Sequence, residues 1–249
     1  MRRRNILITG ASSGLGEEMA RQFAAKGHNL ALTARRTDRL ELLRDELVKA
    51  YPAITAVLRT LDVNDHDQVF EVFRSLDKEL DGLDRVIVNA GIGKGAPLGT
   101  GRFDANRDTL LTNLVAATAQ CEAALELFRA RNAGHLVVIS SMSAMRGMPK
   151  TITAYAASKA GLAALAEGLR LEFVGKPIKV SAIYPGYIAS EMNDQVAKTP
   201  MMVDTVTGVR SMVDAIDKEK GKAYVPAWPW VPMSYLMRFM PLPILKRML

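Results

Sequence analysis

The sequence holds one cysteine, Cys121, and three histidines, His28, His66 and His135, in 249 residues. A lone cysteine excludes an intrachain disulfide and fits a reducing, cytoplasmic compartment. Without a partner thiol it reads as a small buried residue. The histidines are far apart and lack ligand spacing, so no metal site is expected. Aromatic residues make up only 6%, and no basic stretch interleaves with them, which argues against nucleic acid as a partner. No uninterrupted apolar run is long enough to span a bilayer. The opening Met-Arg-Arg-Arg-Asn-Ile-Leu-Ile-Thr-Gly10 superficially suggests a signal peptide, but its apolar run stops too soon for one.

What is present is an ordinary globular balance: 49% hydrophobic and 24% charged residues, enough for a packed core. The net charge of +7 and the isoelectric point near 9.6 suit a phosphorylated ligand or an anionic surface. Basic residues cluster at Arg2–Arg4, at Arg35, Arg36 and Arg39, and at Arg238, Lys246 and Arg247.

Short apolar runs alternate with helical patterns along most of the chain. Strands are expected at 5–9, 29–33, 54–61, 83–89, 135–140, 178–184 and 222–225. Helices are expected at 14–26, 37–50, after Asn64 as cap with Asp67 in the first turn, at 103–131, 153–174 and 211–220. Such alternation predicts an α/β fold: a doubly wound parallel sheet, Rossmann-like, of about seven strands in a single domain. That domain is assigned to residues 1–228. Residues 229–249 form an apolar and basic tail, and the proline-rich 226–232 is expected to resist helix formation.

Three stretches carry chemistry. Thr9-Gly10-Ala11-Ser12-Ser13-Gly14-Leu15-Gly16 follows the first strand and opens the first helix. Glycines there permit a tight turn, and the helix start offers amides and partial positive charge to a pyrophosphate. Tyr155 and Lys159 stand one helical turn apart on one face, where an ammonium favours a phenolate and lowers the tyrosine pKa. Pro185-Gly186 closes the sixth strand. The spacing Thr-Gly-x-x-x-Gly-x-Gly, with Asp62-Val63, Asn89-Ala90-Gly91, Asn113, Ser141, Tyr155-x-x-x-Lys159 and Pro185-Gly186 in this order, resembles the short-chain dehydrogenase/reductase family over residues 5–190.

That resemblance implies an oxidoreductase (EC 1.1.1.-) that moves hydride between a nicotinamide and a carbonyl or alcohol carbon. It assigns Tyr155 as general acid/base, Lys159 to the tyrosine and the nicotinamide ribose, Ser141 to the substrate oxygen, and Asn113 to a relay water. The cofactor would lie on Gly10, Ser12, Ser13, Gly14, Leu15, Gly16, Asp62, Val63, Asn89, Ala90, Gly91, Tyr155, Lys159, Pro185, Gly186, Ile188 and Ser190. The second strand ends Leu32-Thr33-Ala34-Arg35-Arg36 without an acid. A guanidinium can pair a 2′-phosphate, so NADP(H) is expected, with Arg35 as its main ligand and Arg36 and Ser13 as lesser ones. The interval from Ser141 to Tyr155 is 14 positions, one more than the family spacing. Met142 stands at the family distance and cannot donate a hydrogen bond, and Ser143 is an alternative donor.

Methionines 142, 145, 148, 192, 201 and 202 lie in the expected substrate walls and suit a hydrophobic carbonyl substrate. Small residues on the helices around residues 116 and 160, by family analogy, imply a homodimer or homotetramer. The tail is too interrupted to span a membrane but could lie on one, or pack over a partner subunit or the substrate cleft. Two other readings stand beside the reductase: a non-catalytic NADP(H)-binding or sensor protein of the same fold, and an epimerase or dehydratase.

Overall fold

The computed structural model describes residues 3–189 and 201–248. Seven parallel strands run in the order β3-β2-β1-β4-β5-β6-β7: β1 (Asn5–Thr9), β2 (Asn29–Ala34), β3 (Ala56–Thr60), β4 (Arg85–Val88), β5 (Gly134–Ile139), β6 (Ile178–Pro185) and β7 (Lys222–Val225). The order reverses between β1 and β4, so this is the expected doubly wound sheet.

Alternation along each strand makes two cores. Leu7, Val86, Leu136 and Val138 point to one face, with Phe73 of α3 (His66–Glu79), Phe128 of α5 (Ala116–Arg131) and Leu162 of α6 (Thr153–Glu172). Ile6, Ile8, Ile87, Val137 and Ile139 point to the other, with Phe23 of α1 (Gly14–Ala25), Leu40 of α2 (Thr37–Ala50) and Met212 of α7 (Thr205–Asp217). Buried on both faces, the strands read as near-continuous apolar runs. Cys121 is buried in the first core, and burial pushes its thiol up to about 12.

Several expectations are corrected. The cap of α3 is Asp65, whose carboxylate accepts from the Gln68 amide. Asn64 instead donates to Asp62 and pairs with Thr112. Helix α7 starts at Thr205, capped by Asp204, earlier than the apolar pattern suggests. The long helix expected at 103–131 is interrupted: α4 (Phe103–Leu110) passes through one π-helical turn, Leu111–Val115, into α5. The proline-rich 226–232 does enter a helix, α8 (Ala227–Phe239), kinked at Trp228. Pro229 and Pro232 fall in the opening turn after that kink, where most N–H groups have no partner anyway. A last helix, α9 (Leu242–Met248), follows.

At the amino edge of the sheet, Arg85 is 2% exposed. Its Nε donates to Nδ1 of His135 at 2.9 Å, and its Nη1 meets Asp217 at 2.9 Å. His135 Nε2 lies 2.8 Å from the Ser181 hydroxyl. Burial first, then the Arg85 charge, drives the imidazole pKa well below its ordinary value.

Candidate active site

A parallel sheet puts all strand ends of one sense on one edge, and the motifs gather there. The glycine turn after β1 is held by β4. Asn89 donates from its side-chain amide to the Thr9 carbonyl at 2.9 Å, and the Thr9 hydroxyl accepts from the Asn89 and Ala90 amides at 3.1 Å. Gly16 permits the closeness of turn and helix, since a Cβ there would lie 2.3 Å from the Gly10 carbonyl oxygen. Ser13, at the N-cap of α1, makes no side-chain capping bond. The opening of α1 therefore lacks the serine cap that would compete with a bound anion.

Arg36 reaches this turn: its Nε donates to the Ser12 hydroxyl at 3.3 Å and its Nη2 to the Ser13 hydroxyl at 2.5 Å. Arg35 is exposed at the end of β2. Asp62 receives the Asn64 backbone amide at 3.0 Å, and Val63 is buried beside it. Ile188 is buried and pairs with Val203. Ser190 and Met192 lie outside the described residues.

Ser140 and Ser141, at the end of β5, both face residues of α6. The Ser140 hydroxyl is buried and donates to the Lys159 carbonyl at 2.9 Å. Ser141 caps the short 3₁₀ helix Met142–Met145, its hydroxyl accepting from the Ser143 amide at 3.1 Å. The same side chain lies near enough to Tyr155 to favour its phenolate. With an amide donating into it, the Ser141 hydroxyl has its own proton to give. The extra residue between Ser141 and Tyr155 falls in a stretch of two short 3₁₀ helices, the second being Lys150–Ile152.

Tyr155 and Lys159 stand on the first turns of α6, with Lys159 Nζ 5.8 Å from the Tyr155 ring centroid. Nζ donates to the Ile139 carbonyl at 2.9 Å. The expectation that Lys159 lowers the tyrosine pKa is not met in this geometry. Burial raises the Tyr155 phenol above its ordinary value, and the nearby Ser141 side chain opposes that only in part. Burial also brings Lys159 down to about 8. Both groups are thereby shifted toward their neutral forms.

Asn113 lies fully buried in the π turn. Its Oδ1 accepts from the Ile92 amide and its Nδ2 donates to the Ile92 carbonyl, both at 2.8 Å. A Cβ on Gly91 would sit 3.0 Å from that Oδ1 and 3.5 Å from Lys159 Nζ, so Gly91, Asn113 and Lys159 converge. Ser158, which the motifs do not single out, accepts from Asn113 at 3.4 Å and donates to the Tyr155 carbonyl at 2.7 Å.

The sequence pattern also misses Trp230. Its indole, 3% exposed, covers Gly186, so that a Cβ there would lie 2.0 Å from the ring. It stands edge-on to Tyr187 at 5.3 Å between centroids. Arg146, in the loop after Ser141, donates to the Met237 and Arg238 carbonyls at 3.3 and 2.9 Å, a cation at the end of α8 where the helix dipole favours one. Only a contact between distant segments reveals either residue.

Comparison with known proteins agrees with this geometry. The family model described as short chain dehydrogenase matches residues 4–201. An uncharacterised oxidoreductase of Mycobacterium tuberculosis is 55% identical over 98% of this chain and 97% of its own length. Another, of Myxococcus xanthus, is 36% identical over 91% and 88%. Among solved structures, a short-chain type dehydrogenase/reductase from Mycobacterium marinum has a TM-score of 0.79 at 26% identity, over 88% of this chain and 92% of that one. Levodione reductase has a TM-score of 0.80 at 24% identity, over 90% and 95%, a likeness of fold.

Proposed function

Because the chain belongs to the short-chain dehydrogenase/reductase family, we propose that this oxidoreductase uses NADP(H) and acts on the carbonyl or alcohol of a hydrophobic substrate. The residues present fit such a cofactor. The start of α1 is free of a serine cap, Gly91 opens space beside Lys159, and β2 ends in Ala34-Arg35-Arg36 without the acid that would repel a 2′-phosphate. Arg35, with Arg36 held beside Ser12 and Ser13, would bind that phosphate. When bound, the cofactor supplies or receives the hydride.

The chain's own part is proton handling and positioning. A carbonyl that gains hydride becomes an oxyanion and needs a proton and hydrogen-bond donors in place. Tyr155 is the donor: its raised pKa keeps the phenol protonated near neutral pH. Ser141 donates to the same oxygen. Lys159, partly charged near pH 8, would hold the ribose hydroxyls and favour the phenolate left behind. Asn113 is a positioning residue, because its side-chain amide is engaged with Ile92. In the π turn a main-chain carbonyl can be left for a relay water.

The convergence of Tyr155 with Ser141 and Lys159 carries this reading, since it brings two proton donors together one helical turn from a buried lysine. Buried Met142 and Met148 near the loop support an apolar substrate. Exposed Leu111 and Val115 on one helical face support a homo-oligomer. The test is NADPH oxidation against a panel of apolar ketones and aldehydes, with Tyr155→Phe as control. Turnover abolished in the variant supports the reading. NADPH binding without turnover of any carbonyl would favour the sensor. Arg35→Ala and Arg36→Ala should weaken NADPH far more than NADH, and equal losses would remove the NADP(H) assignment.

A further inference from the structure

After Glu219 the sequence has no acidic residue, yet it carries Lys220, Lys222, Arg238, Lys246 and Arg247. Helix α8 buries Trp230, Ser234 and Met237 at helical spacing against the body. Its opposite face is apolar as well. Val231, Tyr235 and Phe239 follow at i, i+4, with Leu236 beside them, and Tyr235 and Phe239 are 65% and 77% exposed. Trp228 at the start of α8 and Leu242 and Ile244 in α9 are exposed too. A helix face turned to water is ordinarily polar. This one presents aromatic and aliphatic side chains with cations beside them. Arg238, Lys246 and Arg247 form no ion pair among the described residues.

We propose that α8 and α9 dock this protein on an anionic lipid bilayer, with the apolar face at the boundary of headgroups and acyl chains and the basic side chains on lipid phosphates. Charge complementarity selects that occupant. A second copy meeting the same patch across a two-fold axis would bring the same acid-free, basic segment, and the like charges would oppose each other. Attachment is peripheral, since no described helix is long and apolar enough to cross a membrane. The surface adjoins the loop bearing Arg146 and Ser141, so an apolar substrate would approach from the bilayer side. That corollary rests on the oxidoreductase reading; the docking itself does not.

The experiment is co-sedimentation of the full chain with vesicles of phosphatidylcholine and phosphatidylglycerol, and with phosphatidylcholine alone. Binding is expected with the anionic vesicles only, weakened by salt. Tyr235→Ser with Phe239→Ser, and separately Arg238→Glu with Lys246→Glu and Arg247→Glu, should each lower partitioning roughly tenfold or more. No binding to anionic vesicles, or binding of both variants equal to that of wild type, would overturn the proposal. So would a fall in molar mass by light scattering in the Tyr235/Phe239 variant, which would give the face to a second copy. No turnover is read, so failure here is separate from failure of the oxidoreductase reading.

Discussion

Trp230 and Gly186 share one volume: the indole fills the space a side chain on Gly186 would need, with its Nε1 and Cε2 both 2.0 Å from where a Cβ would stand. Gly186→Ala should therefore overpack this joint and cost about 1–3 kcal/mol. Thermal unfolding would show a lowered Tm, and adding Trp230→Phe should recover part of it. An unchanged Tm for the single variant would mean the ring moves aside without cost.

Ser141 and Ser143 separate cleanly. Ser143 contributes its backbone amide to Ser141, so Ser143→Ala should leave turnover near wild type. Ser141→Ala loses the hydroxyl that stands beside Tyr155 and should reduce kcat by roughly 10²-fold. Circular dichroism should confirm that both variants fold. Near wild-type turnover in Ser141→Ala would overturn the assignment.

The pH profile should carry the mark of Lys159. Burial lowers this ammonium to about 8, so kcat/KM, which reports the free enzyme, should fall as pH rises through that value. Lys159→Arg keeps the charge. Its kcat/KM should be lower throughout and lack that inflection.

His135 predicts an acid-side loss of stability. Its folded pKa lies well below the unfolded value, so below about pH 6.5 the unfolded chain binds more protons. Stability is retained above the unfolded value and lost as pH falls. Protonation would also set an imidazolium against the Arg85 guanidinium, 2.9 Å away. Urea midpoints of wild type should fall between about pH 7.5 and about pH 5. His135→Gln should start lower and change less.

The sheet was legible in the sequence because each strand pairs short apolar runs with turn residues, and strands such as Asn5–Thr9 and Lys222–Val225 need no distant information to be found. The site stretches were legible for a related reason: a parallel sheet carries residues from the ends of β1, β4, β5 and β6 to one edge by topology alone. What the sequence did not disclose depends on environment or register. Tyr155 and Lys159 at helical spacing suggested mutual charge stabilisation, but burial outweighs it in this geometry. Asn113 lies in a periodic helical pattern, and nothing local reports the π turn around it. The prolines at 229 and 232 were misleading because their effect depends on how far into the helix they fall. Arg36 on Ser13 and Trp230 on Gly186 are long-range contacts with no local signature.

The bonds from Arg146 to the carbonyls of Met237 and Arg238 bear on the order of assembly. All seven strands end by Val225, so strand pairing needs nothing from residues 230–238. The loop after Ser141 gains its anchor, and Gly186 its cover, only when those residues dock. A molecule with α8 undocked would hold a complete sheet and an unfinished substrate side, so docking of that helix, and not closure of the sheet, determines when the protein becomes competent.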